Sequence, residues 1–158
     1  MIGNTFALHN LDDMELDKVL SIVGKPGLYE LKAQTRGGFI AQPIGGGKKI
    51  AVNVRHNVSL LSEIAIYTYG EEVPLKEVFQ KIKEKENGGE AISHKESQAK
   101  LQDYFREVMP DFDQDRVYAN DIKKIIQWYN LLTSNGVTDF TAESSEESES
   151  TEEEEKTN

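Results

Sequence analysis

The chain has 158 residues, 37 % of them hydrophobic, a formal net charge of −10 and no cysteine. That length holds one domain or two very small ones, and the missing cysteines exclude disulfides, zinc–thiolate sites, iron–sulfur clusters and thiol nucleophiles. The charge is unevenly placed: from Thr141 onward eight glutamates stand against one lysine, a segment of −7 that leaves −3 for the rest. The first thirteen residues have no basic start and no apolar run of signal-peptide length. No apolar stretch approaches the roughly 20 residues that a bilayer span needs, so a cytoplasmic protein without membrane contact is expected.

In chain order, Asp12 to Val23 reads as a first helix, with Leu16, Val19, Leu20 and Val23 at helical spacing and Gly24 as its stop. Lys25-Pro26-Gly27 reads as a turn, because proline fixes one φ and glycine supplies a positive one. Four strand candidates follow: Leu28 to Gln34, Gly38 to Ile44, Lys48 to Arg55, and Leu60 to Tyr69. The third alternates most cleanly, with Ile50, Val52 and Val54 against Lys49, Ala51, Asn53 and Arg55. Leu75, Val78, Phe79 and Ile82 then mark a helix behind Pro74, ending in the glycine-rich break Lys85 to Gly89. Ser93 and Glu96 have capping-box spacing ahead of Leu101, Tyr104, Phe105 and Val108. A last helix begins near Asn120, carries Ile122, Ile125, Ile126, Tyr129 and Leu132, and stops at Gly136.

Together these predict an α+β fold. Residues 14–90 form a small SH3-like, strongly curved antiparallel barrel or meander with flanking helices, because so few short strands cannot build two separate sheets with cores. Residues 91–140 form a two-helix piece, packed on the barrel or on another copy. Residues 141–158, with their Ser/Thr/Glu composition, are expected to be a disordered acidic tail.

The runs GKPGLYEL (Gly24 to Leu31), VRHNVSLLSEIAIYT (Val54 to Thr68), KIKEKENGG (Lys81 to Gly89) and DIKKIIQWYNLL (Asp121 to Leu132) resemble an uncharacterised family of Bacteroidetes proteins. The resemblance implies a domain of unknown function, small and β-rich, followed by a second, helical one. It implies no activity, ligand or catalytic residue. It begins near Met14, so residues 1–13 are read as a leader outside the family, from an upstream start or a non-native addition.

No local constellation carries catalysis. Of the three histidines, His9 lies in the leader, His94 in the expected capping box, and His56 in a turn beside Asn57 and Ser59, with no GxSxG elbow anywhere. Gly45-Gly46-Gly47-Lys48-Lys49 fails as a phosphate loop, since Gln42 stands where the first glycine belongs and Lys49 where Ser or Thr belongs. Asp111, Asp113 and Asp115 have calcium-loop spacing, but Arg116 and Ile122 replace the required glycine and glutamate. No enzyme activity, cofactor or metal is expected.

Charge segregation points instead to surface binding. Between Gly24 and Ser62 the bases Lys25, Lys32, Arg36, Lys48, Lys49 and Arg55 face a single acid, Glu30. With Phe39 and the Trp128/Tyr129 surface they make the candidate binding residues. The expected function is a non-enzymatic binding or adaptor protein with a protein partner. The alternative is a nucleic-acid-binding accessory protein whose basic strand face neutralises phosphates and is screened by the acidic tail. A basic face that merely blocks edge pairing is the blander explanation.

Overall fold

The computed structural model describes residues 16–53, 55, 57–138 and 140; the leader 1–13, His9, His56 and the acidic tail 141–158 lie outside them. A 3-10 turn at Leu16–Lys18 leads into β1 (Val19–Ile22), β2 (Tyr29–Gln34), β3 (Gly38–Pro43), β4 (Ile50–Asn53) and β5 (Val58–Leu60). A second 3-10 turn, Leu61–Glu63, precedes β6 (Ala65–Ile66) and β7 (Val73–Pro74). Three helices follow, α1 (Leu75–Lys85), α2 (Gln98–Val108) and α3 (Ala119–Ser134). The α+β class is therefore observed, and among the described residues no helix is long and apolar enough to cross a membrane.

The expected first helix is a strand in its second half. Val19 packs toward the helices, whereas Leu20 and Ile22 pack inside the sheet. A strand covered on both faces is apolar on both, so its residues also fall at helical intervals. Val23, assigned to the helix's inner face, is 70 % exposed. Gly24, at φ 88°, begins the turn to β2 rather than closing a helix.

The larger sheet has the order β4-β3-β2-β1-β5, antiparallel throughout. It is open, because β4 and β5 end it on opposite sides; the closed barrel is not formed. Its apolar face carries Leu20 and Ile22, Tyr29 and Leu31, Phe39 and Ala41, Ile50 and Val52, and Val58 and Leu60, two residues from each strand. A register shift between Leu31 and Ala33 makes a bulge at Lys32, which bends β2. The expected fourth strand is broken into β5, the 3-10 turn and β6. Leu61 is fully buried in the other core, and drawing it there carries the chain off the sheet.

That other core joins sheet and helices. Val19, Leu28 and Leu61 meet Phe79, Phe105, Ile126, Tyr129 and Leu132, each helix offering the stripe its spacing predicted. The Phe79 ring lies 5.3 Å from Phe140 and 6.2 Å from Tyr129 between centroids. Past α1, the Tyr129 hydroxyl donates to the Gly89 carbonyl at 2.7 Å. Asn130 accepts from the Ala91 N–H and donates to the Ile92 carbonyl, pinning the connection to α3.

The capping box expected at Ser93 and Glu96 is a turn: the Glu96 N–H bonds the Ser93 carbonyl, and the Lys95 N–H bonds Ser93 Oγ. The helix starts four residues later, where Ser97 Oγ accepts the Lys100 N–H at 3.2 Å. Ser97→Ala should destabilise the protein by about 1 kcal/mol, the usual loss for an N-cap hydroxyl. Ser93→Ala should change the urea midpoint much less, and an inverted order of effects would place the cap wrongly.

Candidate functional site

The sequence-selected residues do not converge. Of the six bases only Lys32 lies within a strand, and it pairs with Glu30 at 3.1 Å. Lys25, Arg36, Lys48, Lys49 and Arg55 occupy connections between strands, so the basic strand face expected from the alternation is not a strand face. Chain polarity and register divide them. Tyr29↔Pro43 puts Lys25, Lys48 and Lys49 at one end of the sheet, and Gly38↔Asn53 puts Arg36 and Arg55 at the other. Phe39 is half-buried on the sheet's apolar face, paired with Val52 and packed against the other apolar residues there. Gly45, Gly46 and Gly47 all have positive φ and fill the β3–β4 connection.

Trp128 lines a cleft of about 240 Å³ between β6 and the first half of α3. One wall is Ile64, Ala65, Ile66 and Tyr67; the other is Arg116, Val117, Asp121, Lys124, Ile125 and Trp128. The sequence builds it in two steps. Thr68 bridges Phe112 as an isolated β-pair, and the Asp113 N–H bonds the Tyr67 carbonyl, so the 111–113 segment lies beside residues 67–69. A turn at Asp113 then feeds α3, whose Asp121 carboxylate accepts the Tyr118 N–H at 3.0 Å.

The cleft's rim is aromatic and cationic. The Arg116 guanidinium stacks over Tyr67, 4.2 Å from the ring centroid, and its Nε donates to Asp113 at 2.9 Å. That bond holds the Asp113 carboxyl below the usual carboxylate range and raises Arg116 further. Asp113 also accepts the Asp115 N–H; the spaced aspartates thus serve a turn. Among the described residues no group of His, Cys, Asp or Glu is placed to hold a metal ion. Tyr67, Tyr69 and Tyr118 are 38 %, 63 % and 64 % exposed, and Tyr69 accepts the Gln114 N–H at its hydroxyl.

Sequence reasoning selected Trp128 but missed Tyr67, Arg116 and Lys124. In the sequence Tyr67 reads as part of the strand Leu60 to Tyr69, and Arg116 as the residue that breaks a calcium loop. The period-two pair Tyr67/Tyr69, both on one side, was the available signal. A second cleft of about 450 Å³ runs between the Lys25 end of the sheet and α3, lined by Leu28, Ile44, His94, Gln127 and Leu131 among others. Burial lowers the His94 pKa, with Lys123 and Lys95 adding to it.

Two family models match in succession: Domain of unknown function (DUF5606) over residues 16–61 and Domain of unknown function (DUF6852) over residues 64–132. A solution NMR structure of a protein from Bacteroides vulgatus is similar at 45 % identity, over 79 % of this chain and 90 % of that one, with a TM-score of 0.67. The chain belongs to this uncharacterised family. No curated protein matches it.

Proposed function

We propose that the protein is a non-enzymatic binding module that engages a protein partner at the Tyr67–Arg116–Trp128 cleft. The observation that carries this reading is composition at one place: tyrosine, tryptophan and arginine, the side chains that dominate interface energetics, collect around one open cleft. A stacked Arg116 is already held in position by Asp113, so less side-chain freedom is lost on binding.

We also read the larger sheet as SH3-like. A β1–β4 meander with β5 returning beside β1 has that connectivity, and the bulge at Lys32 bends β2. The cytoplasm is the setting we propose, from the absence of cysteine. Nucleic-acid binding is the weaker alternative, since the bases divide between two ends of the sheet and Phe39 is turned inward.

The test is affinity capture from nuclease-treated native lysate with wild-type chain and Tyr67→Ala, alongside single-stranded oligonucleotide binding at low salt. Proteins retained by the wild type and reduced about tenfold or more by the variant, as for a hot-spot residue, are expected. Equal capture by both chains, or salt-dependent oligonucleotide binding as the only interaction, would overturn the reading.

A further inference from the structure

Within the small sheet, hydrogen-bond use along β6 is one-sided. The Leu75 N–H bonds the Ile64 carbonyl at 2.9 Å, and the register pairs Ala65 with Pro74 and Ile66 with Val73. Antiparallel partners alternate between bonded and non-bonded pairs. The Ile64 carbonyl and the Ile66 backbone groups therefore face β7, the Ile64 N–H bonds the Leu61 carbonyl, and Ala65 stands opposite Pro74 in a non-bonded pair. Proline, lacking an N–H, fits that position. The Ala65 N–H and C=O and the Tyr67 groups point to the opposite edge.

That edge is only partly covered. The Asp113 N–H takes the Tyr67 carbonyl at 2.9 Å, and the Tyr69 N–H takes the Asp111 carbonyl at 3.0 Å. The covering segment then leaves, because the Arg116 and Val117 amides turn back onto the Asp113 carbonyl. The ladder stops one step short of Ala65. Among the described residues nothing bonds the Ala65 N–H, the Ala65 C=O or the Tyr67 N–H on that side, and the Trp128 cleft opens where the ladder stops.

We propose that the occupant of the cleft is an extended peptide of a partner protein that adds a strand to the open edge of β6, carrying alternate apolar side chains and a carboxylate. Three backbone groups in strand geometry call for an extended backbone. Val117, Ile125 and Trp128 supply apolar wall for every second side chain. Of the charged lining groups, Asp121 is engaged by the Tyr118 N–H and Arg116 by Asp113. Lys124 has no ion pair among the described residues, which selects a carboxylate. This inference rests on the binding-module reading and specifies its ligand.

The experiment is selection of displayed random octapeptides on the full chain, then amide NMR with the selected peptide. Selected sequences should alternate apolar residues with at least one Asp or Glu. The Ala65 and Tyr67 amides should shift and become protected from exchange. Ala65→Pro removes the edge donor without touching a β6–β7 bond and should weaken binding about tenfold or more, as for a lost buried hydrogen bond. Lys124→Glu should weaken it too. Should Ala65→Pro fail to fold, N-methylation of the peptide at alternate residues replaces it and should abolish binding in one phase only.

Three results would overturn the inference: selection of helical peptides, selected peptides that leave the Ala65 and Tyr67 amides unmoved, or an Ala65 amide already protected in the free chain. The last would mean that the chain or a second copy of it fills the edge. If lysate capture depends on Tyr67 while the β6 amides stay unmoved, the binding-module reading stands and only the strand-addition mode falls.

Discussion

Phe79→Ala should cost about 3–5 kcal/mol, the range for truncating a buried phenylalanine that leaves a cavity, against a total stability on the order of 5–15 kcal/mol. Phe79 is fully buried and touches two other rings, Tyr129 and Phe140. Those rings are anchored on α3 and just beyond it, so they cannot close the hole by a small rotamer change. The cluster containing Phe79 also contains Val19, Leu28 and Leu61 from the sheet side. The loss should therefore register equally in far-UV circular dichroism and in Trp128 fluorescence, as one shifted urea transition. Two separated transitions, or a cost below about 1.5 kcal/mol, would contradict the single shared core.

Gly38→Ala should be comparably severe for a different reason. A Cβ at Gly38 would lie 1.9 Å from the Val52 carbonyl oxygen and 2.9 Å from its carbon. Both are backbone atoms of β4, held in the ladder by the pairs Gly38↔Asn53 and Phe39↔Val52, so no side chain can swing aside. The strand must move, at a cost at or above the upper end of overpacking, about 3 kcal/mol. Gly37→Ala is the control: nothing lies within 4 Å of its Cβ position, and the effect should stay within about 0.5 kcal/mol. Urea midpoints for the two variants decide the matter, and equal midpoints would refute the close approach.

Much of this fold was legible because one face of each helix is wet. Leu75, Val78, Phe79 and Ile82, and later Ile122, Ile125, Ile126, Tyr129 and Leu132, keep a 3.6-residue period only because solvent enforces the opposite face. β1 escaped for the complementary reason: with both faces covered, Val19, Leu20 and Ile22 show no alternation, and the spacing from Leu16 passes for a helix turn. The break inside 60–69 was hidden because Leu61 and Ile66 are buried in the same core through different backbone geometry. Of the candidate site, Trp128 could be picked from the sequence by its type alone. Tyr67, Arg116 and Lys124 could not be grouped, because a bridge between Thr68 and Phe112, distant in sequence, brings them together, and such long-range pairing leaves no local pattern. The bases failed to form a face because glycine-rich connections, rather than alternating strand positions, carry most of them.

The placement of β1 between β2 and β5 sets an order of events during synthesis. The pair Leu20↔Leu60 joins positions forty residues apart in sequence, whereas β2, β3 and β4 are joined by short hairpins. Local pairing closes cheaply and early, and distant pairing waits on loop closure. A nascent chain can thus assemble the meander while β5 is still inside the ribosome, but β1 keeps an unpaired backbone edge until residue 60 emerges. In that interval the young sheet is most exposed to association with other chains.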